Sequence, residues 1–240
     1  MNKIERSRPV VAIDGPAGAG KSTVTRQVAD QLGYTRVDTG ALYRAVAWLA
    51  LDRGVGLGDS DAIAAVAREL AQPGAIAMGP GLDGTRIVVF GRDVSAAIRD
   101  QAVGLAASQT SQLPEVREAL LAMQRALGRD GGVVLEGRDI GSVVFPDAEA
   151  KFFLTASSQV RAERRRAELD KSGTAPSLEQ VKSEVEERDR RDSMRAVAPL
   201  ICAPDAVLVD SSELGIDEVV ARIVAHVQGV ARGLAGRPVD

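Results

Sequence analysis

The sequence predicts an α/β protein built on a central parallel sheet with helices on both faces. Short apolar or β-branched runs (VVAI, GGVVL, KFFLTA, AVLVD) alternate with longer segments whose apolar residues recur every three or four positions. That alternation is the pattern of strands joined by crossover helices. The runs are apolar along their length rather than at every second position, as strands buried on both faces are. A third observation fixes the start: the first run passes into a glycine-rich turn and then directly into a helix.

The elements follow in order. Val10 to Ile13 reads as a buried strand, and Lys21 to Leu32 as a helix with Val24, Val28 and Leu32 on one face, ended by Gly33. TRVD, residues 35–38, is a short extended piece leading into the helix of DTGALYRAVAWLALDRG, which stops at Gly54. Ser60 to Gln72 is a further, alanine-rich helix. In residues 74–95, two apolar runs flank an Asp83-Gly84 turn, the signature of an inserted β-hairpin. Helix returns from Ile98 to Gly128, with Pro114 suited to the first turn of a new helix. Strands are expected at GGVVL (131–135) and KFFLTA (151–156), separated by the charged cluster EGRD. Ser157 to Met194 carries both signs of charge densely and breaks around SGTAPS, giving two polar helices and a loop. AVLVD is the last strand, and residues 214–230 form a closing helix with Val219, Ile223, Val227 and Val230 on one face. GLAGRPVD reads as a frayed tail.

With 240 residues, the chain accommodates one large domain or one domain with an insert. Hydrophobic residues at 45% and charged residues at 26% give the balance of a soluble globular protein. A net charge of −3 disfavours a broad nucleic-acid footprint, so clustered arginines are suited to a small anion. The apolar run after the basic start is only VVAI, too short for a signal-peptide core, and no window reaches the roughly 20 apolar residues of a membrane helix. A cytoplasmic location is expected. The single cysteine, Cys202, excludes an internal disulfide and reads as a small buried hydrophobe. His226, the only histidine, lies far in sequence from every motif and is read as structural or exposed; Tyr43 and Trp48 read as core.

The segment GPAGAGKS, Gly15 to Ser22, matches G-x-x-x-x-G-K-[ST] without a gap. Gly15, Gly18 and Gly20 let backbone N–H groups close on a polyphosphate, and the following helix adds its positive end. Lys21 supplies a charge for the β- and γ-phosphates, and the Ser22 hydroxyl can ligate Mg²⁺. The predicted strand and helix flank the loop as that mechanism demands, so the chain is expected to bind a nucleoside triphosphate. A guanine switch is disfavoured, because the only Asn-Lys pair is NKIE at the N-terminus. A small-molecule kinase remains as the main class.

An anionic acceptor needs arginines beyond the phosphate loop, and Arg44, Arg117, Arg138, Arg188, Arg191 and Arg195 are candidates. For most of the charge-rich segment, a solvated helix with i,i+4 pairs is the plainer reading.

Taken together, the chain resembles the bacterial cytidylate kinases, P-loop nucleoside monophosphate kinases that phosphorylate CMP and dCMP. The residues carrying this are GPAGAGKST, DTGALYR, GRDVSAAIR, ASQTSQLPEVREALLAMQRAL, EGRDIGSVVFPDA with KFFLTAS, and RDRRDSMRAVAPL, in the family's order from Val10 to about Val227. The resemblance implies a three-layer core over about 9–38, 100–156 and 196–232. It also implies an NMP-binding region over 39–99 containing the hairpin, and a lid with flanking helices over 157–195, its loop at Lys171 to Ser177. Gly15, Pro16, Ala17, Gly18, Ala19, Gly20, Lys21, Ser22 and Thr23 would bind ATP with Mg²⁺ on Ser22. Ser108, Arg117 and Asp139 would read the base, and Arg188 with Asp192 the ribose. Arg44, Arg138 and Arg195 would hold the acceptor phosphate. Thr39 would also belong to the CMP site, as would Glu136, which would orient arginines or a Mg²⁺-bound water. Lys21, Arg138 and Arg195 would be catalytic, aided by lid arginines among Arg161, Arg164 and Arg165. The family implies a monomer. A kinase for UMP, dTMP or shikimate, or a non-catalytic ATP sensor, stays open.

Overall fold

The computed structural model describes residues 6–81, 84–170 and 176–235. Asp83 in the expected hairpin turn, Lys171 to Ala175 in the expected lid loop, the NKIE pair and the last five residues of the tail lie outside the described residues. The elements in chain order begin with β1 (Val10–Asp14), α1 (Lys21–Leu32), β2 (Thr35–Asp38), α2 (Gly40–Asp52) and α3 (Ser60–Leu70). There follow β3 (Ile76–Gly81), β4 (Gly84–Val89), β5 (Arg92–Asp93), α4 (Gln101–Thr110), α5 (Pro114–Leu127), β6 (Val133–Gly137) and β7 (Ala150–Thr155). The chain continues with α6 (Ser158–Asp170), α7 (Leu178–Ser193), β8 (Val207–Asp210) and α8 (Ile216–Ala235). A 3₁₀ turn covers Ala97–Arg99, and a π-helical turn covers Ile140–Val144.

The chain divides into two compact units, one running to Thr35 and resuming at Asp130, the other Arg36–Arg129. Helices α4 and α5 thus group with the second unit, whereas the sequence reading had assigned Asp100 to Arg129 to the core.

In the first unit, four strands run parallel in the order β6-β1-β7-β8. β1 is buried at every position, as its unbroken apolar run predicts, and pairs from Val10↔Val133 to Asp14↔Gly137. Helices α1 and α8 bring Val24, Val28, Ile223 and Val227 onto Val11, Ile13, Phe152 and Leu154 of the strands. His226 lies on the exposed face of α8, edge-on to the Phe152 ring at 5.2 Å. Gly33 ends α1 with its N–H shared between Ala29 and Asp30 carbonyls. Ser177 and Gln180 close a capping box at the start of α7.

Several boundaries differ from expectation. Strand β6 begins at Val133 rather than Gly131, because Gly131 and Gly132 adopt φ of 71° and 63°. It then runs through Glu136, so the charged cluster starts inside the strand. The closing helix extends to Ala235, taking in the first three residues of the expected tail. Cys202 is exposed rather than buried, in an irregular segment bounded by Pro199 and Pro204.

In the second unit, α2 is buried along nearly its whole length and packs with α3, α4 and α5 around Leu42, Val46, Ile63, Leu70 and Leu120. The hairpin expectation holds: β3 pairs antiparallel with β4, and β5 completes a three-stranded sheet. Pro114 sits in the first turn of α5.

Candidate active site

In the first unit the site is built where β1 and β6 end. β1 delivers Asp14 and then the phosphate loop, in which Gly15 and Gly18 sit where no side chain fits. A Cβ on Gly15 would lie 1.9 Å from the Leu154 carbonyl oxygen, and one on Gly18 would lie 2.9 Å from that of Arg161. Their φ values, 152° and 74°, are glycine conformations as well. Lys21 opens α1 and turns its ammonium back onto the loop, donating to the Gly15 and Pro16 carbonyls at 2.7 Å each. Burial, with Arg138 adding to it, holds that ammonium well below the usual lysine range. Ser22 donates its hydroxyl to Glu136 Oε2 at 2.7 Å, so the loop's helix is fastened to the end of β6. Thr23 is half-buried on the first turn of α1.

Arg138 follows β6 and reaches α7, its Nε donating to Asp192 Oδ2 at 2.9 Å. Arg195 donates from Nε to the Asp192 backbone carbonyl at 3.1 Å, with its Nη1 4.0 Å from Asp192 Oδ1. Burial alone would raise the Asp192 carboxyl, but Arg138, Arg188 and Arg195 together outweigh it and hold it below the ordinary aspartate value. Arg138, Arg188, Asp192 and Arg195 are therefore brought into one cluster. Glu136 and Asp139 are both buried beside it, 4% and 5% exposed.

The lid candidates separate. Arg161, on α6, donates to the Ala156 and Ala17 carbonyls and pairs with Asp189 of α7 at 2.6 Å. It thus ties the phosphate loop to the helix carrying Arg188 and Asp192. Arg164 is held by the hydroxyl and carbonyl of Ser211, while Arg165 pairs with its own helix neighbour Glu168 on the exposed face. Only Arg165 fits the plain solvated-helix reading.

In the second unit, Thr39 is buried immediately before α2, and Arg44 one turn on faces Asp38 at 3.9 Å. Arg117 of α5 lies over the Tyr43 ring at 5.1 Å and donates to the Ser111 carbonyl. Tyr43 is therefore more than filler: its ring supports a candidate base-reading cation, and its hydroxyl accepts from Gln124. Ser108 is buried on α4, and its Oγ has no hydrogen-bond partner among the described residues.

The family model for cytidylate kinase matches residues 11–229. The chain belongs to the cytidylate kinase family. It is 47% identical over 227 residues to the cytidylate kinase of Pelotomaculum thermopropionicum, covering 94% of this chain and 99% of that protein. A cytidylate kinase of Pseudomonas syringae pv. syringae is also 47% identical, over 95% of this chain and 98% of its own. A bifunctional pantoate ligase/cytidylate kinase of Synechococcus sp. (strain JA-3-3Ab) is 51% identical over 218 residues. This chain spans 40% of that protein, with 90% of its own length matched.

Within this cytidylate kinase fold, one residue escaped the sequence reading. Asp14 ends β1, and its carboxylate accepts from the Ile140 and Gly141 N–H groups at 2.8 and 2.7 Å. A carboxylate closing an otherwise apolar strand was its only sequence signal.

Proposed function

We propose that the chain transfers the γ-phosphoryl group of ATP to CMP and dCMP, giving ADP with CDP or dCDP, as a cytoplasmic monomer. The observation that supports this most is the assembly of Arg138, Arg188 and Arg195 around Asp192 beside a complete phosphate loop, in a chain of the cytidylate kinase family. A sensor that only bound ATP would need no second anion site. No described helix is long and apolar enough to cross a membrane.

Phosphoryl transfer leaves the protein little covalent chemistry, so positioning and charge neutralisation carry the rate. The acceptor phosphate oxygen forms the new bond to the γ-phosphorus as the bond to the ADP oxygen breaks on the opposite side. Lys21, Arg138 and Arg195 offset the charge on the transferring group, and no side chain is required as a general base. The Ser22 hydroxyl beside the Glu136 carboxylate offers hard oxygen donors of the kind Mg²⁺ takes, with few protein ligands and the remaining positions left to phosphates and water. Ser22 would hold Mg²⁺, which when bound neutralises phosphate charge. Closure of the lid would exclude water and limit ATP hydrolysis.

Acceptor recognition is proposed residue by residue. In the first unit, Arg138 and Arg195 take the phosphate, Arg188 and Asp192 the ribose, and Asp139 the base. In the second unit, Arg44 takes the phosphate and Ser108 with Arg117 the base, Thr39 adding its hydroxyl. Cytosine offers an exocyclic amine beside N3 and O2 acceptors, which a carboxylate and an arginine can tell from uracil. Asp139→Ala is expected to lower the ratio of kcat/KM on CMP to that on UMP by at least about ten-fold. An unchanged ratio would remove Asp139 from base reading.

A further inference from the structure

We infer that Asp14 is a positioning residue for base recognition, clamping the turn that carries Asp139 to the strand that carries the phosphate loop. This rests on the proposed role of Asp139. The geometry is compact. Asp14 is 5% exposed and lies opposite Gly137 in the β1–β6 register. Its two oxygens take one N–H each from Ile140 and Gly141, the residues directly after Asp139. Those N–H groups are in the first turn of the π-helical segment, where no intrahelical carbonyl is available to them. A Cβ on Gly141 would stand 3.5 Å from Asp14 Oδ2 and 3.2 Å from the Lys151 side chain, so the backbone approaches the carboxylate with little room to spare. Asp14 also directly precedes Gly15, whose carbonyl holds Lys21. One carboxylate therefore joins the end of the phosphate-loop strand to the backbone of the base-reading turn.

The clamp depends on charge. An ionised carboxylate accepts on both oxygens, whereas a protonated one turns an acceptor into a donor facing an N–H group. Burial pushes the Asp14 carboxyl up to about 6, the Ile140 and Gly141 N–H groups and Lys21 opposing and Asp139 adding to it. Cys202 is electrostatically coupled to Asp14 from the segment before β8. Lys151 of β7, beside Gly141, is engaged by Asp205 and the Pro146 carbonyl. The clamp is thus closed at neutral pH and opens as pH falls through about 6.

The test is the ratio of kcat/KM on CMP to that on UMP between pH 7.5 and 5.5, for the full chain and for Asp14→Asn and Asp139→Ala. The ratio is used because both nucleotides' phosphates titrate near pH 6 alike and cancel. In the native chain the ratio should fall several-fold as pH drops through about 6. Asp14→Asn, which presents an amide N–H where the ionised carboxylate accepts, should show a lowered ratio at pH 7.5 that no longer varies with pH. ATP affinity, followed by direct binding, should change by less than about two-fold if the variant is folded and the effect is on base reading. A native ratio flat across this range overturns the inference even if Asp14→Asn fails to fold. So does an Asp14→Asn variant with native selectivity and pH dependence, given that Asp139→Ala loses selectivity. If Asp139→Ala keeps full selectivity, the base-reading assignment itself falls, and this inference with it.

Discussion

The two units differ in the polar groups they bury. In the first, charges are concentrated and paired across the fold, although Ser142 Oγ and Asp189 Oδ1 have no hydrogen-bond partner among the described residues. Three arginines converge on Asp192, Ser22 is bound to Glu136, Lys21 to two loop carbonyls, and Arg161 to both the loop and Asp189. In the second, two hydroxyls are buried with their oxygens uncommitted. Ser108 Oγ and Thr110 Oγ1 have no hydrogen-bond partner among the described residues. Arg44 keeps only a loose contact with Asp38. The difference is in keeping with the roles proposed for Lys21, Arg138 and Arg195 in the first unit and for Ser108 in the second. Neutralising a transferring phosphoryl group requires charges fixed before the reaction. Reading a neutral base requires hydrogen-bonding atoms held at a defined place and not already used within the chain.

Substitutions can break that contrast, and Lys21 is the most severe place to start. Lys21→Ala should lower kcat by about 10²–10³, the usual cost of losing one preorganised charge-stabilising group, while thermal stability stays near native because a buried charge is removed. Steady-state rates beside a melting curve check both halves. Asp192→Ala comes next. It leaves three arginines facing one another without their carboxylate, and should cost about 3 kcal/mol in denaturant unfolding as well as activity. The smallest effect is expected at Ser108→Ala. A buried hydroxyl without a partner is replaced by hydrogen, so stability should hold or rise by about 1 kcal/mol while KM for CMP increases. A stability loss at Ser108 as large as that at Asp192 would erase the distinction between the units.

Asp14 supplies a sharper version, because stability and recognition should move in opposite directions with pH. Its folded-state pKa, about 6, lies above the ordinary 3.8. Its contribution to stability is therefore present below the unfolded value and is lost as pH rises through about 6, about 3 kcal/mol at most. Selectivity follows the ionised form and behaves the other way. Asp14→Asn should flatten both curves.

The parts legible in the sequence were those set by local pattern. The phosphate loop was legible because spacing, glycine placement and the flanking strand and helix are all contiguous. The hairpin, the polar helices and the arginine at each motif could be located for the same reason. Partners across the fold were not legible. Nothing near Arg161 in sequence announces the Ala17 carbonyl or Asp189, so it read as a lid arginine like Arg165, whose partner is three residues away. β6 was cut short at Leu135 because Glu136 and Gly137 are unfavourable strand residues; pairing with β1 overrides that preference. The first N–H of the π-helical turn donates to the Asp14 carboxylate, 126 positions away from Ile140, and no periodicity records such a contact.

The most direct measurement is coupled ADP release with MgATP across CMP, dCMP, UMP, dTMP, AMP and shikimate. Rapid turnover on CMP and dCMP, with the other acceptors well behind, is the predicted result. Turnover confined to a different acceptor, or ATP binding with no acceptor-dependent ADP release, would contradict it.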